Sequence, residues 1–178
     1  ETPPIECDYQ YSLLNAVQDN VCRKPRVVLI DNEKLILSTS KIKAKHFTSI
    51  SNLLNEPSVN YSLILNDPKA ILYLLKMGCE KLAAIREENR VAGGLIVASS
   101  IPHAEMILKV LTQELGQSAV LVSYKIPDAH QIIDSFRSSG IQWIVSVGMI
   151  SEGTDIPRLQ VCCHLSNIKT ELYFRQVL

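Results

Sequence analysis

The sequence has no excess of either charge: 18 basic and 18 acidic side chains cancel over 178 residues. That excludes binding nucleic acid through a bulk positive field, but not through a local strip of backbone and hydroxyl donors. No apolar run approaches the roughly 18 residues of a membrane span, and no signal peptide opens the chain. A cytoplasmic protein with no membrane partner is the expectation. Cys-x-x-Cys spacing is also missing. The cysteines (Cys7, Cys22, Cys79, Cys162, Cys163) are odd in number and scattered, which points to a reducing compartment and away from structural zinc. The first residue is Glu1 rather than Met, so a piece of a longer chain is expected. Apolar residues make up 47% and charged residues 20%, enough for a core and no case for disorder. Length implies one domain, or one and a small addition.

The second half of the chain is the more regular. Four continuous apolar runs, Leu95–Ala98, Ala119–Val122, Trp143–Val147 and Val161–Leu165, read as strands buried on both faces. Pro102 to Leu115 carries Met106, Ile107, Val110 and Leu111 at helical spacing, with Gly116 as the stop. Pro127 to Ser139 places Ala129, Ile132, Ile133 and Phe136 on one helix face, closed by Gly140. Strand, helix, strand at a repeat of about 25 residues is the pattern of a parallel sheet with helices on its faces. The fold class is α/β, a three-layer parallel sheet with helices on both faces.

Residues 1–90 are less regular. Arg26–Ile30 and Leu35–Leu37 flank Asp31–Lys34 and read as a short hairpin. Ser49 to Leu54 reads as a helix, and so does Asp67 to Glu88, with Asp67 as cap and Pro68 at its first position. Tyr73, Met77 and Leu82 with their neighbours make the second apolar enough to lie against a sheet face. Thr2–Pro4 reads as a linker.

Chemistry is expected in the loop from Gly148 to Pro157, directly after the third strand, because ligands in open parallel sheets sit outside the carboxyl ends of strands. Gly153 would let a ligand approach the backbone closely, and Asp155 could accept from a sugar hydroxyl. Taken alone, Gly-Thr-Asp-Ile-Pro is equally a turn.

Four segments occur in a telling order: Leu95-Ile-Val-Ala-Ser-Ser100 with His103, then Asp128 to Gly140, then Ser151-Glu-Gly-Thr-Asp-Ile-Pro157, then Tyr173-Phe-Arg-Gln-Val-Leu178. Together they resemble the second, carboxy-terminal RecA-like domain of superfamily 2 helicases, which are P-loop NTPases, with motifs IV, V and the opening of VI. The leader Tyr9-x-Tyr-Ser-Leu-x-x-Ala16 with Val21-Cys-Arg23 is similar to the interdomain linker of bacterial and phage helicases related to type III restriction subunits. The resemblance implies residues 1–90 as linker, hairpin and leading helices packed on the same domain, and 91–178 as the RecA-like domain, ending within motif VI.

By that resemblance Gly153 and Asp155 would contact the phosphate side and ribose of ATP, and Gln176 the neighbourhood of the terminal phosphate. Ser99 and Ser100, with His103 beside them, would hold nucleic-acid phosphate, joined by backbone at Val147 and Gly148. Such contacts position a strand without reading its sequence. Two positions depart from the family: Glu152 stands where an arginine is usual, and Val147 where DEAD-box relatives have threonine. The implied cofactors are ATP and Mg2+ in a full-length helicase. The implied partners are single- or double-stranded nucleic acid, DNA ahead of RNA, and a first RecA-like domain. No Gly-x-x-x-x-Gly-Lys-Ser/Thr and no strand ending in paired acids is present, and motif VI would supply its arginine finger beyond Leu178. Residues 1–178 alone are therefore expected to hold no cofactor and to be inactive as an ATP hydrolase.

The remaining features read as structural. His46, His103, His130 and His164 lack metal spacing and read as surface or helix residues. Cys162, Cys163 and His164 are consecutive on a strand, so their side chains alternate and cannot converge on one metal. Buried cysteines acting as small apolar residues is the reading there. Asn60-Tyr-Ser62 fits a glycosylation acceptor left idle, and Lys41, Lys43, Lys45 and His46 read as a solvated face. The rival functions are a non-catalytic helicase-like interaction module and, last, the nucleotide-sugar half of a glycosyltransferase.

Overall fold

A computed structural model describes residues 11–21, 24, 26–28, 31, 35–39, 42–150 and 154–167. Strands β3 (Gly93–Ala98), β4 (Ala119–Ser123), β5 (Trp143–Val147) and β6 (Leu159–Leu165) form one all-parallel sheet in the order β4-β5-β3-β6. All four fall on the expected apolar runs. β3 and β5 are buried along their whole length, as central strands covered on both faces must be.

Helices cover both faces. Helix α4 (Pro68–Glu88) and helix α5 (Ile101–Lys109) pack on one, where Ile71, Leu75, Leu82, Ala104 and Ile107 meet Ile96, Trp143, Val145 and Leu165. Helix α6 (Ala129–Ser138) packs on the other, where Ile133 and Phe136 meet Leu95, Val97, Val122 and Ile144. From β3 the chain moves two places across the sheet to β4 over the α5 face, and returns to β5 over the α6 face. Moving opposite ways over opposite faces keeps every crossover right-handed. The passage from β5 to β6 obeys the same rule without a helix among its described residues. It descends the α6 face through Ile150 and Ile156, both buried in that cluster.

Local sequence accounts for most helix ends. Asp67 accepts from the Ala70 N–H to cap α4, Ser49 from Asn52 to cap α2 (Ile50–Leu54), and Ser12 from Asn15 to cap α1 (Leu13–Gln18). Asn60 caps α3 (Tyr61–Leu65), so the apparent glycosylation acceptor opens a helix that had not been expected. Helix α5 runs into one π turn over Val110–Glu114, and Gly116 then takes φ +61°, as a stop should. Gly140 does not play that part for α6. Ser139 ends the helix in an extended conformation, its hydroxyl donating to the Phe136 carbonyl.

The hairpin differs from expectation. The hairpin pairs β1 (Leu35–Thr39) with β2 (Ile42–Phe47), antiparallel, with Leu35 opposite Phe47. Val27 and Val28 are exposed and belong to no strand. The second strand was hidden in what looked like a basic cluster, because its lysines alternate with Ile42, Ala44 and His46. Lys45 pairs with Glu56 at 3.0 Å across the end of α2. Helix α4 lies against the sheet as expected, through Ile71, Leu75, Gly78 and Leu82, while Tyr73 faces out.

Gly78 and Gly94 share a task at the centre. A Cβ on Gly94 would run into the Trp143 ring, and one on Gly78 would lie 2.6 Å from Cys163 Sγ and 3.3 Å from the same indole. Both glycines make room for a tryptophan that is fully buried.

Candidate functional site

The polar end of the sheet is where β3 and β5 finish. They are neighbours with Val97 opposite Ser146, so the turn at Ser99–Ser100 and the turn at Gly148 lie side by side. Both serines and Gly148 are exposed. Ser100 caps α5, its hydroxyl oxygen accepting from the His103 N–H at 3.3 Å. Proline at the second helical position leaves no N–H there. The N–H groups of Ser100 and Ile101 form no hydrogen bond among the described residues and point out of the helix start.

Ser99 is differently engaged. Its N–H donates to His103 Nδ1 at 3.2 Å, and its Oγ lies 2.8 Å from the same nitrogen. A backbone N–H can only donate, so Nδ1 carries the lone pair, the proton sits on Nε2, and the Ser99 hydroxyl must donate as well. Both donors of Ser99 are thus spent on one imidazole. What this turn leaves free for a ligand is the Ser100 hydroxyl and the two N–H groups.

His103 is neither a surface histidine nor a direct contact, because only 2% of it is exposed. Its Nε2 has no hydrogen-bond partner among the described residues. The Leu65 carbonyl at the end of α3 is near enough to favour the charged ring but lies outside hydrogen-bonding geometry. Burial outweighs that carbonyl and holds the imidazole below its ordinary pKa, hence neutral. Helix α3 is tied to this end of the sheet a second time, through Asn167 Nδ2 donating to Ser62 Oγ at 3.0 Å.

Val147 is buried and offers only backbone. Gly148 takes φ +66°, which turns the chain off the strand. What shapes that turn is Ser146, whose buried hydroxyl accepts from the N–H groups of Met149 (3.3 Å) and Ile150 (3.1 Å). Sequence reading missed Ser146. A lone hydroxyl in an apolar strand two residues before a glycine was the available signal.

Asp155 does not stand beside Gly148 outside the strand ends. Its carbonyl accepts from Arg137 Nε at 2.9 Å, and Arg137 lies in the last turn of α6, toward the end of the sheet where the strands begin. Since the β5–β6 passage runs down the α6 face, seven residues carry Asp155 away from the edge. Its side chain is exposed, and the carboxylate forms no hydrogen bond or ion pair among the described residues. Gly153 and Gln176 lie outside the described residues.

No metal cluster of three or more ligating side chains occurs among the described residues, and no helix there is long and apolar enough to cross a membrane. Burial pushes the Cys79 thiol up to about 11 and Cys163 to about 12, so neither is a thiolate near neutrality. Cys162 is exposed, against the expectation of burial.

No family model matches the chain. An uncharacterised protein of Mycobacterium leprae is 33% identical over 99 residues, 56% of this chain and 17% of the relative. Another from Mycobacterium tuberculosis (strain H37Rv) is 33% identical over 98 residues, 55% of this chain and 16% of the relative. The chain thus spans about a sixth of the length of the curated relatives it matches.

Proposed function

We propose that the chain is the carboxy-terminal RecA-like domain of a superfamily 2 helicase, forming one wall of an interdomain ATP site and part of a nucleic-acid track. The observation that carries the reading is the edge shared by β3 and β5. Motif IV-like Ser99–Ser100 and Gly148, which opens the loop leading to the motif V-like segment, follow adjacent parallel strands, with free N–H donors at the start of α5 and no basic field. The unpaired Asp155 carboxylate, on a separate flank, supports a nucleotide contact distinct from the strand contact.

In this reading ATP binds between this domain and another RecA-like domain, closure draws the two together, and hydrolysis releases them. The residues here position and do not cleave. The test uses the longer protein: ATP hydrolysis stimulated by single-stranded DNA, compared with Asp155→Ala. A hydrogen bond to a neutral ribose hydroxyl contributes about 0.5–1.5 kcal/mol, so about 2- to 13-fold in nucleotide affinity should be lost with thermal melting unchanged. Absence of stimulated hydrolysis in the wild type would return the chain to a non-catalytic interaction module, and an unchanged Asp155→Ala affinity would return Asp155 to a turn.

A further inference from the structure

Residues 99–103 hold more chemistry than a strand contact requires. Ser99 is exposed at a strand-to-helix turn, and its hydroxyl donates at 2.8 Å to an imidazole nitrogen that the Ser99 N–H fixes as the bare one. The ring is buried one turn into α5, and its other nitrogen has no hydrogen-bond partner among the described residues. Immediately after Ser99 come two backbone N–H groups without partners among the described residues, at the positive end of a helix. An exposed hydroxyl donating to a neutral base, with free N–H groups beside the hydroxyl, supplies the nucleophile, the base and the oxyanion donors of an activated serine.

We propose that Ser99 and His103 form a nucleophile–base pair that takes an acyl group from a carboxylic ester. Ser99 Oγ attacks the carbonyl carbon while its proton moves to His103 Nδ1, and the oxygen that becomes negative lies toward the Ser100 and Ile101 N–H groups. Collapse breaks the ester C–O bond, and the leaving alcohol takes the proton from Nδ1. Water then attacks the acyl-serine with the same imidazole accepting and returning its proton. The sum is ester plus water giving acid plus alcohol. This stands on residues 99–103 alone, and because it uses the Ser100 and Ile101 N–H groups that the helicase reading gives to a strand, an ester and a nucleic-acid strand would compete for this turn.

A purely structural role is the competitor. His103 accepting from the Ser99 N–H while Ser100 accepts from the His103 N–H is also a reciprocal helix cap. A fluorophosphonate probe separates the two, because the Ser99 Oγ–P bond forms only as P–F breaks, with fluoride leaving and the proton passing to His103. Intact-mass and peptide mapping should find one adduct, on Ser99, absent from Ser99→Ala. His103→Gln can still accept from the Ser99 N–H, so its fold should persist while labelling slows by about 100-fold or more, the usual worth of a general base. In the wild type the labelling rate should rise with pH through a pKa below 6.5 and then level off, since only the neutral ring accepts a proton. No adduct on a folded wild type, or a rate indifferent both to pH over this range and to His103→Gln, would leave a helix cap only and overturn the proposal.

Discussion

Arg158 offers the most quantitative check on how this fold is held. It is only 7% exposed, and no carboxylate among the described residues pairs with it. Instead Nε donates to the Val91 carbonyl at 2.7 Å, Nη1 to Phe136 at 2.9 Å and Nη2 to Ile141 at 2.7 Å. The guanidinium also lies 4.3 Å from the centroid of the Phe136 ring. Its charge is met by carbonyl dipoles, one of them at the negative end of α6. Burial, and then the neighbouring Arg86, lower its pKa from a value so high that it stays charged at any working pH. Arg158→Met keeps most of the apolar stem but strips three carbonyls of a charged donor. The Phe136 carbonyl keeps its bonds from the Ser139 N–H and hydroxyl, so the loss comes from the part-buried Val91 and Ile141 carbonyls, at about 1–3 kcal/mol each and eased by water, together with the cation–π contact, about 3–5 kcal/mol in total. Lysine, with one ammonium in place of a planar fork, can satisfy one carbonyl at a time, so Arg158→Lys should still lose about 2–4 kcal/mol. Urea unfolding followed by fluorescence of Trp143, the single tryptophan and fully buried, measures both. At about 1.4 kcal/mol per decade the methionine variant should shift the unfolding equilibrium by about 100-fold or more. A loss below about 1 kcal/mol in Arg158→Met, with an unchanged denaturant slope, would refute the idea that these carbonyls depend on the guanidinium.

Two further outcomes follow from the packing and the titrations. Gly94→Ala should destabilise by about 1–3 kcal/mol or more, since the new methyl meets the Trp143 ring and a central strand cannot retreat; a melting temperature within a degree of wild type would contradict this. His103 and His164 are both held below the ordinary histidine pKa, chiefly by burial, so the unfolded chain binds more protons near pH 6. Their contribution to stability is therefore complete above about pH 6.5 and declines as pH falls through the lowered folded-state values, and His103→Gln should flatten part of that decline in melts run from pH 7.5 to 5.

The sheet was legible because buried parallel strands are written as continuous apolar runs, and all four of them sit where those runs are. Helices α4, α5 and α6 were legible from period and caps. Short elements were not: α3 is a single turn and a half whose cap resembled a sequon, and β2 carries two lysines that drew attention to charge instead of alternation. The candidate site was half legible. Ser99, Ser100 and Gly148 do share an edge, because adjacency of strand ends follows from the parallel order. The direction of the β5–β6 passage could not be read without the sheet order, so the separation of Asp155 from the Gly148 turn was not visible. The burial of His103 was equally invisible, since it depends on tertiary packing near Leu65 at the end of α3 and not on its neighbours in sequence.

The direction in which the strands run divides the consequences of mutation. Where they begin, carbonyls of Val91, Ala92, Gly140 and Ile141 are gathered by Arg158 and Arg86, and Ser118 and Gln142 brace one another. Where they finish, the exposed turns carry donors that nothing inside the described chain consumes. A saturation scan sorted by this polarity should separate into temperature-sensitive alleles at one end and temperature-indifferent, activity-altering alleles at the other. Asp155, nearer the first end yet making no bond through its carboxylate, is the position where the two classes would have to be told apart by melting before any change in activity was assigned to the side chain.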